Sequence, residues 1–167
     1  MYDKLTKNDI KNMEAEIEHR TLVQRKELIE AVKEAREHGD LSENFEYYAS
    51  RREKNQNESR IAYLKRMINT AHIIDDSSKD DEVGINNTVE LFFEEQNMVK
   101  TLTIVTNVRG NSLENKVSLE SPIGKVLIGK KQGDRVKVSV NENFSYYVVI
   151  NKIIKDLPDD IDKINSF

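Results

Sequence analysis

Residues 34–48 read EAREHGDLSENFEYY, which places a glycine and a group of carboxylates between two long charged segments. Apolar side chains before this stretch recur at intervals of three and four with one drift, as expected of a single amphipathic helix ending near His38. Gly39 stands where a left-handed residue would end such a helix. A second helical pattern runs from about Glu43 to Ala71. Two helices of about 28 residues joined by a few residues predict an antiparallel helical hairpin, with the quoted stretch at its bend.

The predicted seam between the two helices consists of the apolar residues on one face of each. They are Ile10, Met13, Ile17, Leu22, Val23, Leu28, Ile29, Val32 and Ala35 on the first helix, and Ile61, Leu64, Ile68 and Ala71 on the second. Apolar residues are plentiful far from the bend and sparse near it. We therefore expect the end of the hairpin to be solvent-exposed when the protein is alone.

Beyond residue 84 the pattern changes from helical to extended. Short segments rich in β-branched or aromatic residues predict five strands: TVELFF, KTLTIVTNV, NKVSLES, DRVKVSV and SYYVVINKI. The segment SPIGKVLIGKKQGD interrupts them, with Ser121 suited to an N-cap, Pro122 to the first helical position and Gly129 to the residue after a short helix. The expected fold class is α+β, a long antiparallel helical hairpin followed by a small antiparallel sheet with one packed helix.

Shifts in composition predict how the chain is divided. A length of 167 residues allows one domain or two small ones. We assign residues 1–75 to a helical finger, the charged segment 76–84 to a linker, residues 85–155 to the sheet domain and residues 156–167 to an acidic tail.

Composition also excludes several classes of function. The chain has no cysteine, which rules out disulfides, thiolate zinc sites and cysteine nucleophiles, and its three histidines are too dispersed to suggest a metal or catalytic cluster. A net charge of −4 argues against general binding to duplex DNA. No apolar run approaches the roughly 20 residues that span a bilayer and no secretory signal opens the chain, so we expect a cytoplasmic protein without membrane contact.

The carboxylates at the bend allow two interpretations. Asp40 and Glu43 have the spacing of a capping box, in which an N-cap acceptor is followed three residues later by an acid. They also suit Mg²⁺, which is bound by one or two protein carboxylates together with substrate phosphates. Glu37 and Glu46 crowd the same end, where nothing cationic is nearby in sequence. We therefore expect a partner to supply the positive charge.

A basic segment follows directly on the bend. Residues 51–66 hold six basic and two acidic side chains. A solvated helix face is the plainer explanation, and a surface for a phosphate backbone entering beside the bend is the alternative. Arg51 and Lys54 share a face in either case, and Tyr47 and Tyr48 are available to pack or stack.

Two motifs in the same order make the sequence similar to the bacterial Gre transcript-cleavage factors, with the GreA type as the nearest match. The first is AREHGDLSEN followed by EYY, with ESRI and IID farther on, and the second is SPIGKVLIGKKQGDRVKV. The resemblance covers nearly the whole chain before the acidic tail. It implies a coiled-coil finger followed by an FKBP-like domain, in agreement with the division above.

The resemblance also implies a function in bacterial transcription. In Gre factors the globular domain docks at the rim of the RNA polymerase secondary channel, and the finger enters to the active centre. Asp40 and Glu43 match the acids that help hold a second Mg²⁺, shared with the polymerase, while the polymerase cleaves the 3′ end of backtracked nascent RNA. The resemblance implies a factor that stimulates the polymerase. We expect a monomer that is not a nuclease alone, because two carboxylates without a preformed site hold catalytic Mg²⁺ poorly, and we expect no Mg²⁺ at the tip of the free protein.

Further residue roles follow from the same resemblance. Phe45 and Tyr48 depart from the family pattern, because a small residue and a His or Asp are usual at these two positions. Arg51 matches the family's basic position that contacts RNA, whereas Arg52 and Lys54 stand where GreA-type proteins often have Glu or Gln and so would strengthen RNA binding. The remaining expected roles are RNA contact by Arg51, Arg52, Lys54 and Arg60, support of the bend by Asn44, Glu46 and Tyr47, and polymerase docking by Ser121, Pro122, Ile123 and Gly124.

Two other hypotheses stay open from the sequence. A protein of Gre form can occupy the channel and inhibit the polymerase, an idea that Phe45 favours and that the presence of both Asp40 and Glu43 opposes. A long hairpin alone also permits a non-enzymatic adaptor, and an FKBP-like domain permits peptide binding without implying prolyl isomerase activity.

Overall fold

The computed structural model of the protein describes residues 3–39, 44–155 and 164. Asp40, Glu43 and the acidic tail, apart from residue 164, lie outside the described residues. The chain forms two compact units, one of Asp9–Ala71 and one that joins Asp3–Asn8 to the chain from His72 onward. The finer boundaries expected at residues 75 and 84 stay predictions.

The first unit is built from helices. They are α1 (Lys7–His19), a π-helical segment (Arg20–Gln24), α2 (Arg25–Glu37) and α3 (Phe45–Thr70). His38 is the C-cap of α2, and Gly39 follows with a φ of 140°, a conformation that glycine adopts without steric cost. The predicted end of the first helix near His38 is confirmed.

Contacts between side chains show that α3 runs antiparallel to the preceding helices. Glu16 contacts Arg60, whereas Ala35, farther along the chain, contacts Asn44. The number of residues between two contacting positions therefore becomes smaller toward the bend, as it does in a hairpin. The α+β class, with a long helical hairpin ahead of a sheet, is confirmed.

The apolar seam of the hairpin is shorter than predicted. Its fully or nearly buried apolar residues are Met13, Ala35, Tyr47, Ile61, Leu64 and Met67. Leu22, Val23 and Ile29 are exposed, so the seam predicted through them is wrong. The five-residue step from Ile17 to Leu22 coincides with the π-helical segment. Its i→i+5 hydrogen bonds enclose one more residue than those of an α-helix, so the side chains that follow point in a different direction around the helix axis.

The second unit is built around a five-stranded sheet. Its strands are β3 (Thr88–Phe93), β4 (Met98–Val105), β5 (Lys116–Ser118), β6 (Arg135–Asn141) and β7 (Phe144–Ile154), in the spatial order β5-β4-β3-β7-β6. A separate two-residue parallel pair joins β1 (Lys4–Leu5) to β2 (His72–Ile73). All five predicted strand segments are confirmed.

One pairing in the sheet differs from the prediction. β5 pairs in parallel with β4, with Thr103 opposite Lys116, so the sheet is mixed and not wholly antiparallel. A parallel neighbour cannot be reached through a tight hairpin and needs a longer connection. Two short 3₁₀ turns, Asn107–Arg109 and Ser112–Glu114, fill that connection.

The short helix α4 (Pro122–Leu127) packs against the sheet. Ser121 is its N-cap, and the Ser121 Oγ accepts a hydrogen bond from the Gly124 N–H at 3.1 Å. Gly129 follows the helix with a φ of 80°, so the predicted capping is confirmed at both ends. Ile123 and Leu127 reach the core formed by strand residues such as Val138 and Ile150. Among the described residues, no helix is both long enough and apolar enough to cross a membrane.

Gly124 fixes how closely α4 approaches β5. A Cβ at this position would lie 2.1 Å from the Ser118 carbonyl oxygen and 2.9 Å from the Leu119 Cα, both backbone atoms that cannot move aside alone. We expect Gly124→Ala to lower the free energy of unfolding by about 1–3 kcal/mol, measured by thermal unfolding of the full chain. Gly110→Ala is the matched control, because its nearest contact would be an ordinary 3.7 Å. Equal stability of the two variants would contradict this packing.

Candidate functional site

The predicted catalytic acids Asp40 and Glu43 fall in the gap between the described residues, and the structure describes the chain on both sides of them. We call residues 35–39 and 44–48 the tip of the hairpin. These residues end α2 and begin α3. Three side-chain contacts join the two halves of the tip.

Asn44 makes the first of these contacts. Its Oδ1 accepts a hydrogen bond from the Tyr47 N–H at 3.0 Å, and its Nδ2 donates to the Ala35 carbonyl oxygen at 2.6 Å. Asn44 is therefore the N-cap of α3, and the prediction that Asp40 caps this helix in a capping box is wrong. Asn44 thus serves both a helix N-terminus and a helix C-terminus. It accepts from a backbone N–H of α3 that has no partner within the helix, and it gives the Ala35 carbonyl oxygen a second donor beside the His38 N–H.

Tyr47 and Arg36 make the second contact. The Arg36 guanidinium lies 5.5 Å from the centre of the Tyr47 ring, and Tyr47 is buried although it is near the end of the hairpin. A hydrogen bond with Arg36 is the main cause that lowers the pKa of the Tyr47 hydroxyl, and the charge of Arg51 adds to it. The predicted supporting role of Tyr47 thus has a specific partner on α2.

His38 and Glu46 make the third contact. His38 Nδ1 and Glu46 Oε2 are 3.0 Å apart at the surface. The hydrogen bond to Glu46 raises the pKa of His38, with the charges of Glu46, Glu34 and Glu37 in support. His38 lies eight positions before Glu46 in the sequence, and the bend brings the two side chains within hydrogen-bonding distance.

An open groove of about 560 Å³ runs along α3 beyond the tip. Arg51 and Arg52, two of the residues predicted to contact RNA, line this groove. Its complete lining is Tyr48, Arg51, Arg52, Asn55, Gln56 and Ser59. Lys54 is half-buried outside the lining, and its charge contributes to the lowered pKa of Glu58.

Arg60 has a structural role in place of the predicted RNA contact. Its side chain reaches across to α1, where Nε donates to Glu16 Oε1 at 2.8 Å and Nη2 donates to Glu16 Oε2 at 3.1 Å. Arg60 is only 5% exposed. We therefore withdraw the prediction that Arg60 contacts RNA, since its guanidinium faces the partner helix.

Two further residues surround this ion pair. Arg20 donates to Glu16 at 2.7 Å and to the Asn57 Oδ1 at 3.1 Å. We call Glu16, Arg20, Asn57 and Arg60 the polar cluster. Sequence analysis missed it, although the spacing drift before Leu22 and an asparagine in the second helix were signals that polar groups interrupt the seam.

The electrostatics of the polar cluster centre on Glu16. Burial raises the pKa of the Glu16 carboxyl, but hydrogen bonds from Arg60 and Arg20, together with their charges, outweigh it and lower the pKa overall. A second ion pair, in which Arg25 donates to Glu58 at 2.7 and 2.9 Å, lies nearer the tip. Both pairs connect α3 to the preceding helices.

The four residues predicted to dock on the polymerase are not equally accessible. Ile123 and Gly124 are buried and serve the packing of α4. Pro122 is exposed, and Ser121 is half-buried, with its hydroxyl donating to the Ser118 carbonyl oxygen at 2.6 Å. A docking surface at this segment would therefore present Pro122 and the edge of Ser121.

The described residues contain no group of three or more His, Asp or Glu side chains that could hold a metal ion. The nearest described carboxylate on the α3 side of the gap, Glu46, is paired with His38.

Comparison with family models identifies the class of protein. The model described as "Transcription elongation factor, N-terminal" matches residues 4–73, and the model described as "Transcription elongation factor, GreA/GreB, C-term" matches residues 78–155. The chain belongs to the GreA/GreB family of transcription elongation factors. The similarity inferred from the two motifs is confirmed.

Individual relatives match this chain over most of their own length. The chain is 44% identical over 137 residues to the transcription elongation factor GreA of Caldanaerobacter subterraneus subsp. tengcongensis, covering 81% of this chain and 87% of that protein. It is 38% identical over 150 residues to GreA of Mesomycoplasma hyopneumoniae, covering 89% and 94% of the two chains. It is also 38% identical over 152 residues to GreA of Chloroherpeton thalassium, covering 90% and 96%. The protein is accordingly a transcription elongation factor.

Solved structures show a more distant likeness. The transcription factor Gfh1 is 24% identical, with a TM-score of 0.44 over 92% of this chain and 97% of that one. The GreA factor homolog 1 of Thermus thermophilus is also 24% identical, with a TM-score of 0.42 over 93% and 100% of the two chains. A likeness this distant carries no functional argument.

The polar cluster makes the hairpin sensitive to acid. Because the folded-state pKa of Glu16 lies below its ordinary value of 4.5, its stabilising contribution is fully present above that value. The contribution is lost as the pH falls through the lowered pKa. We expect Glu16→Gln to lower the free energy of unfolding at pH 7 by about 1–3 kcal/mol, and the difference from wild type to shrink below the ordinary pKa.

The measurement is urea unfolding followed by helical circular dichroism at several pH values. Glu18→Gln is the matched control, because Glu18 is an exposed acid two residues away on the same helix. A Glu16→Gln variant as stable as the Glu18→Gln variant at pH 7 would show that the polar cluster does not hold the hairpin.

Proposed function

We propose that the protein stimulates RNA polymerase to cleave the 3′ end of backtracked nascent RNA and so returns arrested complexes to elongation. It is not an enzyme by itself in this proposal, because it supplies groups to an active centre that belongs to the polymerase. Family membership supports the proposal. The structural observation that carries it is the set of three contacts joining the two halves of the tip on either side of Asp40 and Glu43.

Asp40 and Glu43 are the residues that would hold a shared Mg²⁺. Two carboxylates fit this ion when phosphate oxygens and other ligands complete its shell, and they do not make a strong site alone. When bound together with an ion held by the polymerase, it would supply charge stabilisation for phosphodiester cleavage. The chain's own contribution is to hold the ends of α2 and α3 together and to engage Glu46 with His38, leaving Asp40 and Glu43 as the proposed ligands.

Arg51 and Arg52 are proposed to bind the phosphates of the RNA. Both line the groove that begins at Tyr48 in the tip, and guanidinium groups bind phosphate in a bidentate manner. Lys54 adds positive charge from outside the groove. This arrangement would hold the RNA strand beside the tip without a preformed pocket.

The proposed partner is bacterial RNA polymerase with its nascent RNA, bound by a monomer in the cytoplasm. We propose that the segment Ser121–Gly124 contributes to docking, chiefly through Pro122, because this residue is exposed at the start of α4. Ile123 and Gly124 would act indirectly, by fixing the position of that helix.

The test uses stalled, backtracked elongation complexes with end-labelled RNA and Mg²⁺. We expect the wild-type protein to shorten the RNA and restore elongation. The double variant Asp40→Asn/Glu43→Gln should still bind the complex but lose the stimulation by a factor of 100 or more, in keeping with the loss of a group that holds a catalytic metal.

Glu34→Gln/Glu37→Gln is the matched control, since it removes the same number of charges from the exposed last turns of α2. It should leave cleavage within about twofold of wild type. If neither the wild type nor the acid variant cleaves and both slow nucleotide addition, the protein is an inhibitor that occupies the channel and the proposal fails.

A further inference from the structure

Phe45 is the most unusual side chain of the tip. It is the first residue of α3 and directly follows the N-cap Asn44, yet 86% of it is exposed to solvent. Tyr48, one turn farther along, is 46% exposed. Residues three apart on a helix lie on the same face, so Phe45 and Tyr48 share one face of α3 at the end of the hairpin.

Packing among the described residues covers little of Phe45, whereas the Tyr48 ring meets the Tyr47 ring edge-on with their centres 5.5 Å apart. Burying a phenylalanine ring stabilises a protein by about 1.5–3 kcal/mol, and α3 does bury an aromatic ring at this level. That ring belongs to Tyr47, which packs beneath Arg36. Phe45 instead points its apolar surface into water beside the gap that holds the proposed catalytic acids.

The same helix face continues into the basic groove. Residues that follow Phe45 at steps of three or four along α3 are Tyr48, Arg52, Asn55, Gln56 and Ser59. All five line the groove of about 560 Å³, together with Arg51. One stripe of the helix therefore carries two aromatic rings at the tip and two guanidinium groups behind them.

This combination suits an unpaired nucleic acid strand. Single-stranded nucleic acids are bound by aromatic rings on which bases stack and by basic groups that follow the phosphates. A base paired in a duplex has its faces covered by neighbouring bases and cannot use such a platform. The positive charge of the groove is local, since the chain as a whole carries a net charge of −4, and a local patch suits a short strand better than a long duplex.

We propose that Phe45 is a stacking platform for an unpaired base near the 3′ end of the RNA, with Tyr48 beside it and Arg51 and Arg52 on the phosphates. The inference rests on the proposed function and deepens it by naming the part of the substrate that the tip contacts. Phe45 is a substrate-positioning residue in this account, because it touches a base and not the reacting phosphate.

The experiment places 2-aminopurine, whose fluorescence falls when it stacks, at the unpaired 3′ nucleotide of a backtracked complex. We expect the wild-type protein to reduce the emission and Phe45→Ala to leave it unchanged. Phe45→Tyr should keep the reduction because it keeps the ring, and Tyr48→Ala should weaken it in part. The alanine variant is expected to fold, since an exposed ring is lost and alanine favours a helix.

Leu113→Ala is the matched control for loss of exposed apolar surface, because Leu113 is 94% exposed in the second unit. It should behave as wild type. A second arm measures cleavage of RNA whose 3′ nucleotide lacks its base. Wild type should cleave this RNA about tenfold more slowly than normal RNA, and Phe45→Ala should cleave both at the same low rate.

The outcomes separate this inference from the proposed function. Emission that falls equally with wild type and Phe45→Ala overturns the stacking role, whatever the cleavage rates. A Phe45→Ala variant that prefers normal over abasic RNA by the same factor as wild type also overturns it, because the base would then be recognised without the Phe45 ring. A fall in emission with wild type alone, without any cleavage, upholds the stacking role and refutes the proposed function.

Discussion

The tip depends on one side chain, the amide of Asn44, which binds the ends of two helices at once. Its oxygen caps α3 through the Tyr47 N–H, and its nitrogen satisfies the Ala35 carbonyl at the end of α2. Helix ends otherwise expose backbone groups that water must satisfy. Because a single amide serves both ends, the chain on each side of Asp40 and Glu43 is fixed relative to the other, and the contacts of Tyr47 and Glu46 build on that connection.

Between the tip and the buried apolar residues at the far end of the hairpin, polar contacts connect the helices. Glu16, Arg20, Asn57 and Arg60 satisfy one another across the hairpin, and the π-helical segment lies among them. A purely apolar seam tolerates sliding of one helix along the other, whereas hydrogen-bonded charges find their partners in only one register. Because helices are rigid, the register of the two helices at the polar cluster also determines their alignment at the tip. Residues far from Asp40 and Glu43 thus help to position the tip.

The sequence was most informative where the signal is local. Gly39, Ser121 and Gly129 marked helix ends, and alternating β-branched residues marked the strands, because caps and pleated strands depend on neighbouring residues. It failed where the deciding contact is distant. Nothing near Arg60 shows that Glu16, 44 positions earlier, receives its guanidinium, and nothing in the segment that forms β5 shows that it pairs in parallel. The N-cap of α3 was not predicted at Asn44, because Asp40 and Glu43 have the spacing of a capping box and Asp is as good an N-cap residue as Asn.

The claim that Asp40 and Glu43 hold a shared Mg²⁺ is tested most directly by the Mg²⁺ dependence of cleavage in backtracked complexes. If the tip donates metal ligands, Asp40→Asn should raise the Mg²⁺ concentration needed for half-maximal cleavage by about tenfold, and excess Mg²⁺ should restore much of the rate. Glu37→Gln, an exposed acid on the other side of Gly39, should leave that concentration unchanged. An Asp40→Asn variant that cleaves more slowly at every Mg²⁺ concentration, with the half-maximal concentration unaltered, would contradict the claim.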